Sequence, residues 1–315
     1  MASNNIAQSS GQNRNRGIRF DVDWINEMGV DAPAIEKAAG AIAARVSVTK
    51  ESQPLLLQAI TAMDLTTLAD DDTDERVRQL CARARQPLPQ ELLTLLETGR
   101  GELKVAAVCI YRRFIKTAQH ELKGSGIKIA TVSADFPKGL APIEERIAQI
   151  HSSVEAGADE IDVVIQRDHA VQGKWDVLYE EVAAFRAACG NKLMKVILGT
   201  GELENPDKVA RASLVAMMAG ADFIKTSTGK ETVNATLAAG IVMTQAIREY
   251  AEKTGTFVGF KPAGGIRTAK QAVEYLSLVK EQLGEKWLAP TLFRIGASSV
   301  LDDIERHLQA ISQLK

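Results

Sequence analysis

The chain has 315 residues, 45% hydrophobic and 25% charged, with a net charge of −2, the balance of an ordinary globular protein long enough to bury a large core. That charge, with no cluster of Lys and Arg interleaved with aromatics, argues against nucleic-acid binding, and no apolar run approaches the roughly 18 residues of a membrane span. Cys81, Cys109 and Cys189 form an odd count without CxxC spacing, which argues against a disulfide framework or a zinc site and for a reducing compartment, read here as cytoplasmic.

Residues 1–19 are polar, rich in Asn, Gln and Ser, without the apolar core of a secretory signal, and read as a disordered tail. From residue 20 to 60 two helical patterns, 33–45 and 55–62, read as leading helices packed against the body of the domain; Pro33 suits a first helical turn. Short apolar runs then recur at 63–68, 105–111, 127–133, 160–165, 193–200, 223–228, 257–262 and 293–297. Helical spacing fills 143–156, 177–188, 206–219, 233–253, 269–283 and 301–312. Eight strands alternating with helices fit an α/β fold, a (β/α)8 TIM barrel of about 250 residues with extra N-terminal helices. With no linker or repeat, 20–315 reads as a single domain; a doubly wound sheet is the alternative.

Strand residues of a barrel alternate between interior and helix layer. In Glu160-Ile-Asp-Val-Val-Ile165 the apolar Ile161, Val163 and Ile165 share one face, so Asp162 points inward. The same rule turns Asp64, Thr66, Lys225, Lys261 and Cys109 inward. Two acids and two lysines thus converge at the C-terminal strand ends, where barrel enzymes keep their active sites. A buried ammonium without a partner has a lowered pKa, two such lysines depress one another further, and a neutral amine attacks carbonyls. The expected chemistry is a Schiff base on Lys225, with Asp162 and Asp64 as proton shuttles and Lys261 perturbing Lys225 and orienting Asp162. Such a cycle needs no metal or other cofactor. Cys109 reads as a pocket wall, since His120, His151, His169 and His307 offer it no base partner.

Glycines and serines cluster at three adjacent strand ends: Gly229-Lys230, Gly264-Gly265-Ile-Arg267, and Gly296-Ala-Ser298-Ser299. Loops after the last strands of many barrels hold phosphate with backbone N–H groups and a helix N-terminus. Gly229, Lys230, Gly264, Gly265, Gly296, Ser298 and Ser299 are therefore the expected phosphate contacts. Gly199-Thr-Gly201 either approaches substrate or only turns the chain.

Met63-Asp-Leu-Thr-Thr-Leu68, Val108-Cys-Ile-Tyr111, Glu160-Ile-Asp-Val-Val164, Thr200-Gly-Glu-Leu203, Asp222-Phe-Ile-Lys-Thr-Ser-Thr-Gly-Lys230, Gly259-Phe-Lys-Pro-Ala-Gly-Gly265 and Arg294-Ile-Gly-Ala-Ser-Ser299 resemble the motifs of the deoxyribose-phosphate aldolases, class I lyases. The region 20–49, and Gly199 in place of an acidic residue, are closer to the longer eukaryotic-type branch. The resemblance implies reversible cleavage of 2-deoxy-D-ribose 5-phosphate to D-glyceraldehyde 3-phosphate and acetaldehyde. It implies Lys225 as the Schiff-base lysine, Asp162 as the proton-transfer group, Lys261 as its partner and Asp64 as a residue that positions a substrate hydroxyl, with Thr66, Cys109 and Thr228 as further substrate contacts. The implied partners are small phosphosugars and aldehydes; a homo-oligomer is compatible with the resemblance, and the sequence does not set the oligomeric state. Arg112 stands where members usually have proline, and the chain ends Ser312-Gln-Leu-Lys315 without the terminal tyrosine of some members, which leaves enamine protonation to another group or to water. The competing readings are another Schiff-base phosphosugar aldolase or transaldolase, and a barrel that binds phosphosugars without catalysis.

Overall fold

The computed structural model describes residues 14–96 and 102–313. Its eight strands are β1 Met63–Thr66, β2 Ala107–Ile110, β3 Lys128–Ser133, β4 Glu160–Val164, β5 Leu193–Ile197, β6 Phe223–Lys225, β7 Gly259–Lys261 and β8 Ile295–Ala297. They pair in parallel in the order β7-β6-β5-β4-β3-β2-β1-β8. The seam between β7 and β8 is closed by bridges Phe260 to Phe293 and Ala263 to Gly296, with Arg294 N–H donating to Phe260 O at 3.1 Å and Gly296 N–H to Pro262 O at 2.9 Å. The sheet is therefore the expected (β/α)8 barrel.

Each predicted strand exists, trimmed at its ends. Alternation divides the buried side chains as the sequence pattern requires. Val108, Ile110, Ile161, Val163, Met194, Val196, Ile224 and Phe260 join the large core between strands and helices, while Ala107, Cys109, Ala130 and Val132 form a separate small cluster inside the barrel. Small residues on β2 and β3 leave the interior to the long charged chains of the other strands.

The helices begin where side chains cap them. Asn205 accepts from Lys208 N–H ahead of Pro206–Met218, and Thr268 forms a capping box with Gln271 ahead of Ala269–Leu283. The helical pattern expected from 233 starts only at Leu237, because Thr236 is its cap and accepts from Ala239 N–H; residues 231–235 are instead a loop. Among the described residues five α-helices have no counterpart among the expected elements, Asp74–Arg85, Gln90–Leu95, Ile115–Glu121, Val22–Glu27 and Arg167–Val171. The first buries only Val77, Cys81 and Ala84, too narrow an apolar stripe to stand out among its charges. The leading helices expected at 33–45 and 55–62 run Ala32–Arg45 and Gln53–Thr61.

The expected tail, 1–19, divides: residues 1–13 lie outside the described residues, but Arg14–Arg19 does not hang free. Asn15 is buried, donates its backbone N–H to Asp222 at 2.8 Å and its side-chain amide to Met217 O and Ala221 O. Packing of the chain thus begins before residue 20.

Inside the barrel the ring of Phe223 lies over Gly259, where an added Cβ would come within 2.4 Å of a ring carbon. Phe223 is fully buried, Gly259 is buried, and the two are in register on neighbouring strands. Gly259→Ala is therefore expected to lower unfolding free energy by about 1–3 kcal/mol, as overpacking does, in equilibrium urea denaturation. An unchanged midpoint would mean that the ring has room to move.

Candidate active site

Seven charged side chains from six strands or strand ends fill the barrel interior. At the centre is Asp162, wholly buried. Its Oδ1 accepts from Lys195 Nζ at 2.8 Å, and its Oδ2 accepts from both Lys225 Nζ at 2.9 Å and Lys261 Nζ at 2.8 Å. Register explains the convergence, for Asp162 pairs with Lys195 across β4 and β5, and Lys225 with Lys261 across β6 and β7. Deeper, Asp64 takes Lys261 on Oδ2 and Arg294 on Oδ1, the latter at 2.6 Å. Glu160 receives two bonds from Arg294, at 3.0 and 2.7 Å, and pairs with Lys195 at 2.6 Å.

Four cations thus meet three carboxylates. Burial pushes the Asp162 carboxyl up, but Lys195, Lys225 and Lys261 outweigh it and hold it well below the usual carboxylate range. Asp64 behaves likewise under Lys261, Lys195 and Arg294, and Glu160 under Arg294 and Lys195. Burial alone would lower Lys261, yet Asp162 and Asp64 raise it above an ordinary lysine. This corrects one expectation: Lys261 is not a lysine neutralised by burial beside a second lysine but a fixed cation, because each of the two amines has a carboxylate partner.

A cavity of about 340 Å³ opens above this cluster, lined by the loops after β1, β6, β7 and β8. Of the expected catalytic residues, Lys225 alone lines it; Asp162, Lys261 and Asp64 stand behind. Asp64, expected to position a substrate hydroxyl, has its oxygens paired with Lys261, Lys195 and Arg294. Thr66 and Thr228 reach the cavity. Cys109 does not: it packs with Ala107, Ala130 and Val132, and burial raises its thiol.

The expected phosphate contacts divide in the same way. Gly229, Lys230, Gly264, Gly265, Gly296 and Ser298 line the cavity, and Ser299 occupies the N-cap position of the helix Val300–Ser312 beside it without a side-chain cap bond. Among the described residues, the N–H groups of Gly264, Gly265, Ser298 and Ser299 donate to no protein group. The other three are spent. The Gly296 N–H belongs to the β7–β8 seam, the Gly229 N–H donates to Glu231 at 3.1 Å and the Lys230 N–H to Thr228 Oγ1 at 3.0 Å. Gly296 supplies space instead, since a Cβ there would come 3.1 Å from Lys261 Cε and 2.7 Å from Ala263 Cβ.

Four functional residues are additions to the expected set. Arg267, at the cavity wall, is carried by the same Gly264-Gly265-Ile-Arg267 stretch that supplies the glycines. Lys195, Glu160 and Arg294 belong to the ionic cluster. The rule that turns Asp162 inward also turns Glu160 and Lys195 inward.

Arg112 and Gly199, two of the features set against the aldolase pattern, have local explanations, while residues 314–315 of the chain end, which lacks the tyrosine, lie outside the described residues. Arg112 is exposed and opens a single turn, Arg112–Phe114, whose hydrogen bond runs from Phe114 N–H to Tyr111 O, so proline or arginine fits at that first position. Gly199 has φ +68°, and a Cβ there would meet Arg167 Cδ at 2.4 Å; Arg167 crosses it to pair with Glu202. Gly201 is covered by Val233 O and faces a loop, not substrate.

Comparison with known proteins gives a consistent picture. The family model of the DeoC/LacD family aldolases matches residues 58–303. The deoxyribose-phosphate aldolase of Homo sapiens is 50% identical over 297 residues, 93% of each chain, and that of Mus musculus 52% over 296 residues, again 93% of each. A solved structure from Toxoplasma gondii ME49 matches with a TM-score of 0.71 at 23% identity, covering 83% of this chain and 99% of its own. A tetrameric deoxyribose phosphate aldolase from Aeropyrum pernix matches with a TM-score of 0.55 at 22% identity, covering 85% and 100%. At those identities the solved structures speak for the fold alone.

Lys195→Met tests the ionic cluster. A carboxyl depressed in the native state contributes stability that is present above its unfolded pKa and lost as pH falls through its native one. Removing the cation beside Asp162, Glu160 and Asp64 raises their native values, so the acid limb of thermal stability is expected to move to higher pH. At neutral pH the loss is expected to be about 3–5 kcal/mol, as for other broken buried pairs. Thermal melts from pH 3 to 8 on both proteins measure it; superimposable acid limbs would refute the coupling.

Proposed function

Because the chain belongs to the DeoC/LacD aldolase family, we propose that it cleaves 2-deoxy-D-ribose 5-phosphate reversibly to D-glyceraldehyde 3-phosphate and acetaldehyde through an imine on Lys225. The observation that carries this reading is that Lys225 is the one member of the buried ionic cluster to line the cavity, while amide donors free of protein partners gather at the cavity's other wall. One end of the cavity suits an aldehyde and the other an anion.

The steps follow from that geometry. Lys225 Nζ attacks C1 of the open-chain sugar, and the carbinolamine loses water to give a protonated imine. The hydroxyl on C3 gives up its proton, the C2–C3 bond breaks, and its electron pair passes into the imine to form an enamine as the phosphorylated aldehyde departs. Protonation of the enamine at C2 and hydrolysis release acetaldehyde and restore the amine. Asp162, 2.9 Å from Lys225 Nζ, exchanges protons with that nitrogen and reaches the C3 hydroxyl through water, since it does not itself line the cavity. Its depressed pKa makes it a transient proton carrier. Lys261, held charged by two carboxylates, fixes Asp162 in place. Gly264, Gly265, Ser298 and Ser299, with Lys230 and Arg267, hold the phosphate. The same reading places the enzyme in deoxyribonucleotide breakdown in the cytoplasm, as a homo-oligomer.

Borohydride reduction in the presence of deoxyribose 5-phosphate is expected to leave a mass adduct on the peptide containing Lys225. Lys225→Arg, which keeps the charge but cannot form an imine, is expected to lose both adduct and turnover. Turnover near the wild-type rate would remove Lys225 as nucleophile.

Ser298→Glu places a carboxylate where the phosphate is held. It is expected to lower kcat/KM for deoxyribose 5-phosphate by on the order of tenfold or more relative to unphosphorylated deoxyribose, about 1.4 kcal/mol per factor of ten. Equal losses on the two substrates would place the phosphate elsewhere.

A further inference from the structure

Glu231 is the residue that organises the loop after β6, and it does so from behind the cavity wall. Its carboxylate accepts the N–H groups of two consecutive residues, Thr228 at 2.9 and 3.0 Å and Gly229 at 3.1 Å. Successive amides that converge on one anion form a compact nest, here made possible by Gly229 at φ +86°. Lys230 N–H closes the turn on Thr228 Oγ1 at 3.0 Å. Thr228, Gly229 and Lys230 line the cavity, whereas Glu231 does not.

The same residue ties this loop to the next. Glu231 O accepts from Asn234 Nδ2 at 2.8 Å. The Asn234 side chain lies against Gly264, where a Cβ would come within 2.5 Å of its Oδ1, and Ala235 N–H donates to Gly264 O at 3.3 Å. Gly264, at φ +83°, is thereby fixed with its own N–H free of protein partners. Glu231 thus meets the anion-binding wall twice, through its carboxylate at Thr228 and Gly229 and through its main-chain oxygen, by way of Asn234, at Gly264.

We propose that Glu231 is a positioning residue for the phosphate end of the substrate, setting the wall formed by Thr228–Lys230 and Gly264–Gly265 at the spacing a phosphate requires. The proposal rests on the phosphosugar reading above. It makes Glu231 a determinant of specificity for phosphorylated over unphosphorylated substrate without contact with either.

The test compares wild type, Glu231→Ala and Glu231→Gln for KM and kcat with deoxyribose 5-phosphate and with unphosphorylated deoxyribose, and for inhibition by inorganic phosphate. Glu231→Ala is expected to raise KM for the phosphorylated sugar and the inhibition constant of phosphate by on the order of tenfold, and KM for the unphosphorylated sugar much less. Glu231→Gln keeps one acceptor oxygen and is expected to recover part of the loss. Equal losses on both sugars, accompanied by a lower Tm, would overturn the proposal in favour of a purely structural role. A lower KM for the phosphorylated sugar would overturn it too, since Glu231 would then be competing with phosphate for the two amides. If wild type neither turned over the phosphorylated sugar nor responded to phosphate, the substrate reading itself would fall, and that result is visible before any variant is made.

Discussion

Three lysines inside one barrel are tolerable only because a single carboxylate, Asp162, receives all of them. Lys195 takes one oxygen while Lys225 and Lys261 share the other. Moving an ammonium from water into a protein interior costs several kcal/mol even after relaxation. The three amines are held there by bonds that Asp162, Glu160 and Asp64 supply in return. The arrangement fixes the interior as a whole, for a shift in any one chain leaves another charge without its partner. Long charged chains need width, and Gly296 and the small residues of β2 and β3 leave it.

The arrangement also divides labour between layers. Arg294, Glu160 and Asp64 form the deeper layer and do not line the cavity; their contacts hold Asp162, Lys195 and Lys261 in position and charge state. Lys225 stands at the edge of that layer with Asp162 on one side and the cavity on the other. Lys261, one strand further, contacts two carboxylates where Lys225 contacts one. Of two lysines in register on neighbouring strands, the one with fewer ionic contacts and an open face is suited to bond a substrate, and the other to remain a fixed charge.

Alternation along short strands made the barrel and most of its chemistry legible in the sequence. Asp64, Asp162, Lys225 and Lys261 fall on the inward parity of four strands, and all four meet. Applied evenly, the same parity reaches Glu160 and Lys195, but Lys195 follows Lys192 closely and resembles an ordinary strand-edge lysine until its partner across β4 is known. Arg294 falls on the inward parity of the expected run 293–297, between Phe293 and Ile295, but precedes the strand Ile295–Ala297 as it forms. The expected lowering of lysine pKa failed for Lys261 for a related reason. Sequence indicates that an amine is buried, whereas its protonation depends on which carboxylates lie within hydrogen-bond reach, and that is a matter of register. Residues 233–235 fit the helical spacing of 233–253, and only the Thr236 cap sets the true start.

The separation between the amine and the anion-binding wall has a consequence for rate as well as for binding. In the proposed cycle, a phosphate held by Gly264, Gly265 and the serines before Val300–Ser312 makes no bond that changes during carbon–carbon cleavage. By itself such uniform binding would lower KM and leave kcat unchanged. It assists the chemistry because it is rigidly joined to the amine: Thr226 Oγ1 accepts from Ala263 N–H and donates to Ala263 O, both at 3.0 Å, locking the top of β6 to the top of β7 one residue from Lys225 and two from Lys261. Holding the far end of the sugar against that lock places C1 over Nζ in few orientations, and so converts phosphate binding energy into alignment of the bond to be formed.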